Sequence, residues 1–137
     1  MIKPDAVKDN HVGEIISLIE KNGFEIVGLQ KGMLDQEMAE EFYAVHQDKP
    51  FFEELTQFII SGPVIVLALM KEDAVLSWRE LMGATNPADA KEGTVRKLYG
   101  KSIGNNAVHG SDSDENAEKE LEMFFPGISE LIANSAE

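Results

Sequence analysis

The sequence predicts an α+β fold in which helices pack against one antiparallel sheet. Three observations lead there. An unbroken apolar run, Val64 to Met70, has the length and character of a central strand covered on both faces. A second strand-like run, Phe24-Glu25-Ile26-Val27-Gly28-Leu29, continues toward Leu34. The segments around these runs carry apolar residues at helical spacing, so strands alternate with helices or helix pairs.

In chain order, only Met1-Ile2 precede Lys3-Pro4. Strands average about five or six residues, so the first strand is expected to be stubby or truncated, and truncation is the reading adopted. Val12 to Asn22 is expected to be a helix, with Val12, Ile15, Ile16 and Ile19 on one face and Asn22-Gly23 as its stop. Gln36 to Val45 is helical by Met38, Ala39, Phe42 and Val45. Pro50 opens a second helix, Phe51 to Ile60, and Ser61-Gly62-Pro63 is a turn. Asp73 to Met82 is helical again through Ala74, Val75, Trp78, Leu81 and Met82. Gly83 to Asn106 is rich in Gly, Asn, Pro and Thr, with one short helical turn near Thr94 to Tyr99. A loop this long in a small domain is usually functional or disordered. Ser113 is placed to cap a last helix, Asp114 to Phe125, whose first turn is acidic. Three or four strands result, in a single domain spanning 1–137.

Composition narrows the classes of function. The chain has 137 residues, 43% of them hydrophobic and 27% charged, which suits a soluble globular domain with a real core. It has no Cys, so disulfides and thiolate metal sites are excluded. No apolar stretch approaches a membrane span, and Lys3-Pro4-Asp5 interrupts any leader-like run. A cytoplasmic location is therefore expected. The formal net charge is -13, from 25 acidic against 12 basic residues. Such a surface repels nucleic acid and anionic membranes. It also repels nucleotides, so a phosphate ligand would need the few cations gathered in one pocket.

Several motif look-alikes fail on inspection. Gly100-Lys101-Ser102 imitates the end of a P-loop, but Val95 stands where its first Gly belongs. Asp112-Ser113-Asp114 imitates a calcium loop, but Ala117 replaces its Gly and Met123 its Glu. No helical His pair suggests zinc, and no G-x-S-x-G suggests a serine hydrolase.

One stretch stands apart: Asn106-Ala107-Val108-His109-Gly110-Ser111-Asp112-Ser113. It sets an imidazole beside a glycine among small polar residues, just before a helix. A nucleophilic His needs an open approach on one side and a fixed hydrogen bond on the other. The only other His residues are His11 and His46. A scattered set accompanies it: Lys3, Tyr43, Arg79, Thr85, Arg96 and Asn106. Singly, each has a dull explanation, such as a solvated Arg, a core Tyr or turn chemistry at a Thr before Asn-Pro.

Taken together, these segments resemble the nucleoside diphosphate kinases. Ile2-Lys3-Pro4-Asp5-Ala6-Val7, Phe42-Tyr43-Ala44-Val45-His46, Pro50-Phe51-Phe52, Arg79 to Pro87, Gly93-Thr94-Val95-Arg96 and Asn106 to Ser113 occur in that family's order. The resemblance covers nearly the whole chain. It implies a ferredoxin-like antiparallel sheet of four strands, the first truncated, covered by helices. It implies transfer of the terminal phosphoryl group of a nucleoside triphosphate to a nucleoside diphosphate, by a ping-pong route through a phosphohistidine.

Carried over by position, His109 is the nucleophile, Glu120 the carboxylate holding its other ring nitrogen, and Ser111 the supporting hydroxyl. Lys3, Arg79 and Arg96 match cationic phosphate contacts. Tyr43, Thr85 and Asn106 match neutral donors. Phe51 matches the residue on which the base stacks, with Leu55 and Ile103 nearby, although Phe51 and Phe52 could exchange stacking and core roles. Gly110 would keep the approach to the ring free of a side chain. Mg²⁺ is expected on the nucleotide phosphates, without a protein cage, and ATP, GTP and other nucleotides as substrates.

Two departures from the family pattern are Lys97-Leu98-Tyr99, where many relatives have an acidic residue and Phe, and Asn105, where a basic residue is common. Both touch the loop used for subunit contacts in the family, whose members form dimers, tetramers or hexamers. A homo-oligomer is implied without a choice among these. The residues leave two further functions open: a nucleotide-binding scaffold that lost the chemistry, and phosphate transfer from His109 to protein partners.

Overall fold

The computed structural model describes residues 1–128. Helix α1 (Pro4–Lys8) comes first, followed by α2 (Val12–Lys21). Strand β1 (Glu25–Gly32) leads to α3 (Gln36–Phe42), a 3-10 turn at Ala44–His46, and α4 (Phe52–Ile59). Strand β2 (Val64–Met70) leads to α5 (Ala74–Met82), a 3-10 turn at Pro87–Asp89, α6 (Val95–Tyr99) and α7 (Asp114–Phe124).

Strand β1 pairs antiparallel with β2, from Glu25 opposite Met70 to Gly32 opposite Val64, with a register shift between Ile26 and Gly28. The expected four-stranded sheet is reduced to these two regular strands among the described residues. The other two survive as single antiparallel bridges, Ile2 to Ile65 and Ile2 to Val108. The reason is local. Ile2 runs at once into Lys3-Pro4, where α1 begins, and proline has no N–H for a ladder. Val108 follows a turn at Ala107, whose φ of 73° no strand can accommodate. The spatial order is nonetheless complete: β1, β2, Ile2, Val108.

Strand β2 is covered on both faces, as its unbroken apolar run predicts. Alternate residues of a strand point to opposite faces. Ile65 packs with Ile15 and Ile19 of α2 and with Trp78, Leu81 and Met82 of α5. Val64 and Val66 pack with Ala39 of α3, Tyr43 and Ile59 of α4. Ile15 and Ile19 lie one helical turn apart and are both fully buried, each contributing roughly 1.5–3 kcal/mol.

Helix ends follow their capping chemistry. The Asp35 carboxylate accepts from Met38 N at 2.8 Å, Thr94 Oγ1 from Lys97 N at 3.3 Å, and Ser113 Oγ from Asn116 N at 3.1 Å. The Ser113 cap is the one expected. The largest difference in extent is in the third helix, which ends at Phe42 rather than Val45; the fourth runs Phe52–Ile59 rather than Phe51 to Ile60, and the others differ by a single residue at one end. Helix α1 is an addition to the elements that the apolar spacing predicts, and Pro4 at its first position is a helix-start signal.

Candidate active site

The site is assembled on the short segment between the Val108 bridge and the Ser113 cap. His109 N donates to Met1 O at 2.8 Å, which holds its backbone against the residues just before α1. Ser113 fixes where α7 starts, and Glu120 then falls on the turns of α7 that face His109. His109 Nε2 lies 2.8 Å from Glu120 Oε1. Ser111 Oγ donates to the other carboxylate oxygen, Glu120 Oε2. The Phe42 ring meets the imidazole edge-on, at a centroid separation of 4.7 Å, and Tyr43 stands perpendicular to it at 6.1 Å.

Protonation states follow from these contacts. Burial pushes the His109 pKa below its ordinary value, and the positive charges nearby add to that, outweighing the bond to Glu120. Burial alone would raise Glu120, but donation from His109 and Ser111 wins and leaves its pKa lowered. An ionised carboxylate can only accept. Nε2 therefore carries the proton, and Nδ1 carries the free lone pair. The His109 side chain remains 26% exposed, so that lone pair is not sealed in the core.

Gly110 has a reason beyond the ring's open approach. A Cβ there would stand 2.3 Å from Trp78 Cδ1 and 2.9 Å from Met82 Cε. The Cδ1–Nε1 edge of the Trp78 indole, on α5, packs against this glycine, and its Nε1 donates to His109 O at 3.4 Å. Trp78 thus braces the His109 backbone, a part that its place on an apolar helix face did not reveal.

Two clefts meet at Gly110, Ser111 and Asp112. One, of 720 Å³, is lined by Tyr43, His46, His109 and Glu120. The other, of 850 Å³, is lined by Arg79, Thr85, Lys91, Thr94 and Arg96. The imidazole and two of the expected phosphate-binding cations therefore open on either side of one loop. Burial raises the Tyr43 pKa, with the Glu120 charge adding to it, so its hydroxyl stays a donor. Arg96 is held by its Nη1 on Gly83 O at 3.1 Å and its Nη2 on Val108 O at 2.9 Å.

The remaining expected residues are placed differently. Lys3 is buried, and its Nζ donates to Asn106 Oδ1 at 2.8 Å. Asn106 Nδ2 in turn donates to Thr85 O at 3.1 Å. Burial pushes the Lys3 pKa down to about 8, with Arg96 adding to the effect and Asp5 opposing it. Neither cleft is lined by Lys3, Asn106, Phe51, Leu55 or Ile103 among the described residues. Phe51 is 44% exposed and reaches the Tyr43 side only through His46, at 5.8 Å. Phe52 and Leu55 pack against the core, and Ile103 is 60% exposed. Among the described residues no group of three His, Cys, Asp or Glu side chains could hold a metal ion.

The profile of one family, nucleoside diphosphate kinase, matches residues 1–129. The chain belongs to the nucleoside diphosphate kinase family. It is 56% identical to the nucleoside diphosphate kinase of Hyphomonas neptunium over 91% of this chain and 89% of the relative. It is 53% identical to that of Chlamydia caviae over 99% and 95%. Among solved structures, the Aquifex aeolicus nucleoside diphosphate kinase superposes with a TM-score of 0.90 at 38% identity, covering 93% of this chain and 92% of that one. A halophilic nucleoside diphosphate kinase from Halobacterium salinarum, in complex with CDP, gives 0.86 at 43% identity, covering 90% and 83%. The α+β fold with an antiparallel sheet is that of the family. The chain is a phosphotransferase acting between nucleoside triphosphates and diphosphates.

Proposed function

We propose that His109 is the phosphoryl carrier of a two-step exchange in one domain spanning 1–137. The observation that carries this is the bond from Nε2 to Glu120, which leaves Nδ1 as the free nucleophile at the loop where the two clefts meet. In the first step the Nδ1 lone pair attacks the γ-phosphorus. The bond from phosphorus to the β,γ-bridging oxygen breaks, and the nucleoside diphosphate leaves with that electron pair. The ring becomes cationic, and the Glu120 carboxylate stabilises it while keeping its orientation. In the second step a terminal oxygen of another nucleoside diphosphate attacks the phosphorus, the P–N bond breaks and the lone pair returns to Nδ1.

Phosphoryl transfer is mainly a matter of positioning and charge stabilisation. Arg79, Arg96 and Thr85 are assigned to the phosphates from their cleft. Tyr43 donates from the His109 side. Lys3 and Asn106 form a buried pair behind the same segment and are assigned to the phosphate and sugar. Phe51, with its exposed face, is assigned to the base, with Leu55 and Ile103 beside it; stacking accepts any base. Ser111 keeps the Glu120 carboxylate turned toward the ring.

Mg²⁺ would neutralise phosphate charge and shape the triphosphate when bound. Asp112, the one carboxylate shared by the two clefts, offers an oxygen of the hard type that Mg²⁺ prefers. ATP, GTP and other nucleoside tri- and diphosphates are the proposed substrates, and the CDP bound by the halophilic relative is in keeping with that. The net charge of -13 argues against nucleic acid and membranes as partners. No described helix is long and apolar enough to cross a membrane. The chain is proposed to work in the cytoplasm as a homo-oligomer.

The test is incubation with γ-labelled ATP and Mg²⁺, followed by acid and alkali treatment of the protein. An alkali-stable, acid-labile label that disappears in His109→Ala is expected. A label that survives that substitution, or that is acid-stable, would overturn the assignment.

A further inference from the structure

The geometry points to Asp5 as a positioning residue that clamps the backbone turn from which His109 is presented; this rests on reading His109 as the phosphoryl carrier. Ala107 has a φ of 73°, where residues other than glycine rarely lie. Val108 N donates back to Asn106 O at 2.9 Å. A hydrogen bond from residue i+2 to residue i, around a centre of positive φ, marks the strained form of the γ-turn. Such strain persists only where the surroundings over-determine it.

The surroundings here are the start of α1, about a hundred residues away in sequence. Lys3 N donates to Ala107 O at 2.8 Å, and Ala107 N donates to Asp5 Oδ2 at 3.0 Å. Both ends of the Ala107 residue are therefore pinned. Only the second contact comes from a side chain. The other Asp5 oxygen, Oδ1, is buried with no hydrogen-bond partner among the described residues. A buried acceptor left unpaired is a cost that a side chain serving stability alone would avoid.

The turn matters because of what flanks it. Asn106, immediately before, holds the Lys3 ammonium. His109, two residues after, must keep its ring against Glu120, which is anchored separately on α7. A relaxed turn would shift the imidazole relative to a carboxylate that does not move with it. The expected loss is one of alignment rather than of folding.

The experiment measures single-turnover phosphorylation of the protein by saturating ATP and Mg²⁺, beside thermal melting. Asp5→Ala should slow phosphoenzyme formation by about tenfold to a hundredfold, the size of a misalignment effect. Asp5→Asn keeps an oxygen that can accept from Ala107 N and should stay within about threefold of the parent. Adding Ala107→Gly to Asp5→Ala should recover most of the loss, because glycine adopts positive φ without strain. Should Asp5→Ala alone fail to fold, Asp5→Ser, too short to reach Ala107, takes its place. A parental rate in folded Asp5→Ala or Asp5→Ser, or no recovery in either rescue variant, would overturn the clamp. If the parent itself forms no phosphoenzyme, it is the His109 assignment that fails, and the clamp with it.

Discussion

Glu120 Oε1 lies 2.8 Å from His109 Nε2, although the two residues belong to different elements, a bridge segment and helix α7. The carboxylate is held from its other side by Ser111. Its orientation is therefore set before any substrate arrives. Glu120→Ala should slow phosphorylation of His109 by about ten- to a hundredfold, as for lost partners that orient a functional histidine. Glu120→Gln, which still accepts from Nε2–H, should lose less. Rapid-quench measurement of the phosphoenzyme checks both.

The lowered His109 pKa fixes the acid limb of the pH profile. The ring must be neutral to attack, and burial keeps it neutral below the ordinary imidazole value of about 6.5. The first-step rate should therefore stay flat as pH falls from 7 through that value and decline only below it. Stability should begin to fall as pH drops below about 6.5 and go on falling until the ring itself protonates, because over that range the unfolded chain binds a proton that the folded ring refuses. A rate that halves near pH 6.5 would contradict the assignment. The single-turnover rate and the unfolding midpoint, followed over the same pH series, read both effects.

Lys3 sets an alkaline limb. Its pKa of about 8 means that the buried ammonium loses its proton as pH rises through that value. Affinity for a nucleoside diphosphate should weaken between pH 7 and 9, and bound phosphate will move the midpoint upward by favouring the charged form. In Lys3→Gln the affinity should be lower and this pH dependence absent. Calorimetric titration with a nucleoside diphosphate at several pH values decides.

Arg79 lines the cleft on the far side of the Gly110 to Asp112 loop and is exposed. Arg79→Ala should slow transfer by roughly tens- to a thousandfold, from ~2–4 kcal/mol of lost transition-state stabilisation. Thermal stability should not change, since no described salt bridge involves this side chain. Steady-state kinetics beside melting separates the two.

Gly110→Ala should destabilise the fold by ~1–3 kcal/mol through overpacking. The added methyl would land 2.3 Å from Trp78 Cδ1, on a rigid indole that is itself buried. Trp78 also holds His109 O, so activity should fall with stability. Chemical denaturation measures the first, and the phosphoenzyme rate the second.

The elements read from periodicity alone were those with strong local signals. Helix α2, strand β2, helix α5 and the Ser113 cap depend on neighbours along the chain, so their residues suffice to specify them. Helix α1 is not legible from periodicity, because a five-residue helix offers too few periods and Pro4 is its one local sign. The four-stranded sheet was overestimated because a strand's ladder depends on what lies beside it. Ile2 and Val108 take their places in the sheet, but each is interrupted after one bridge by proline or by the Ala107 turn.

Family membership, the composition of the loop around His109 and the acidic balance of the surface could all be recognised from residue order. Order says nothing, however, about which atoms meet. The Lys3–Asn106 bond joins residues 103 positions apart, and the Asp5–Ala107 bond spans 102. The collision that forbids a side chain at Gly110 comes from Trp78, on a separate helix. Helical periods and caps are decided over a few residues by short-range sterics and hydrogen bonding. The tautomer of His109, the depressed pKa of Lys3 and the strain at Ala107 arise only when folding removes water and brings distant groups within reach.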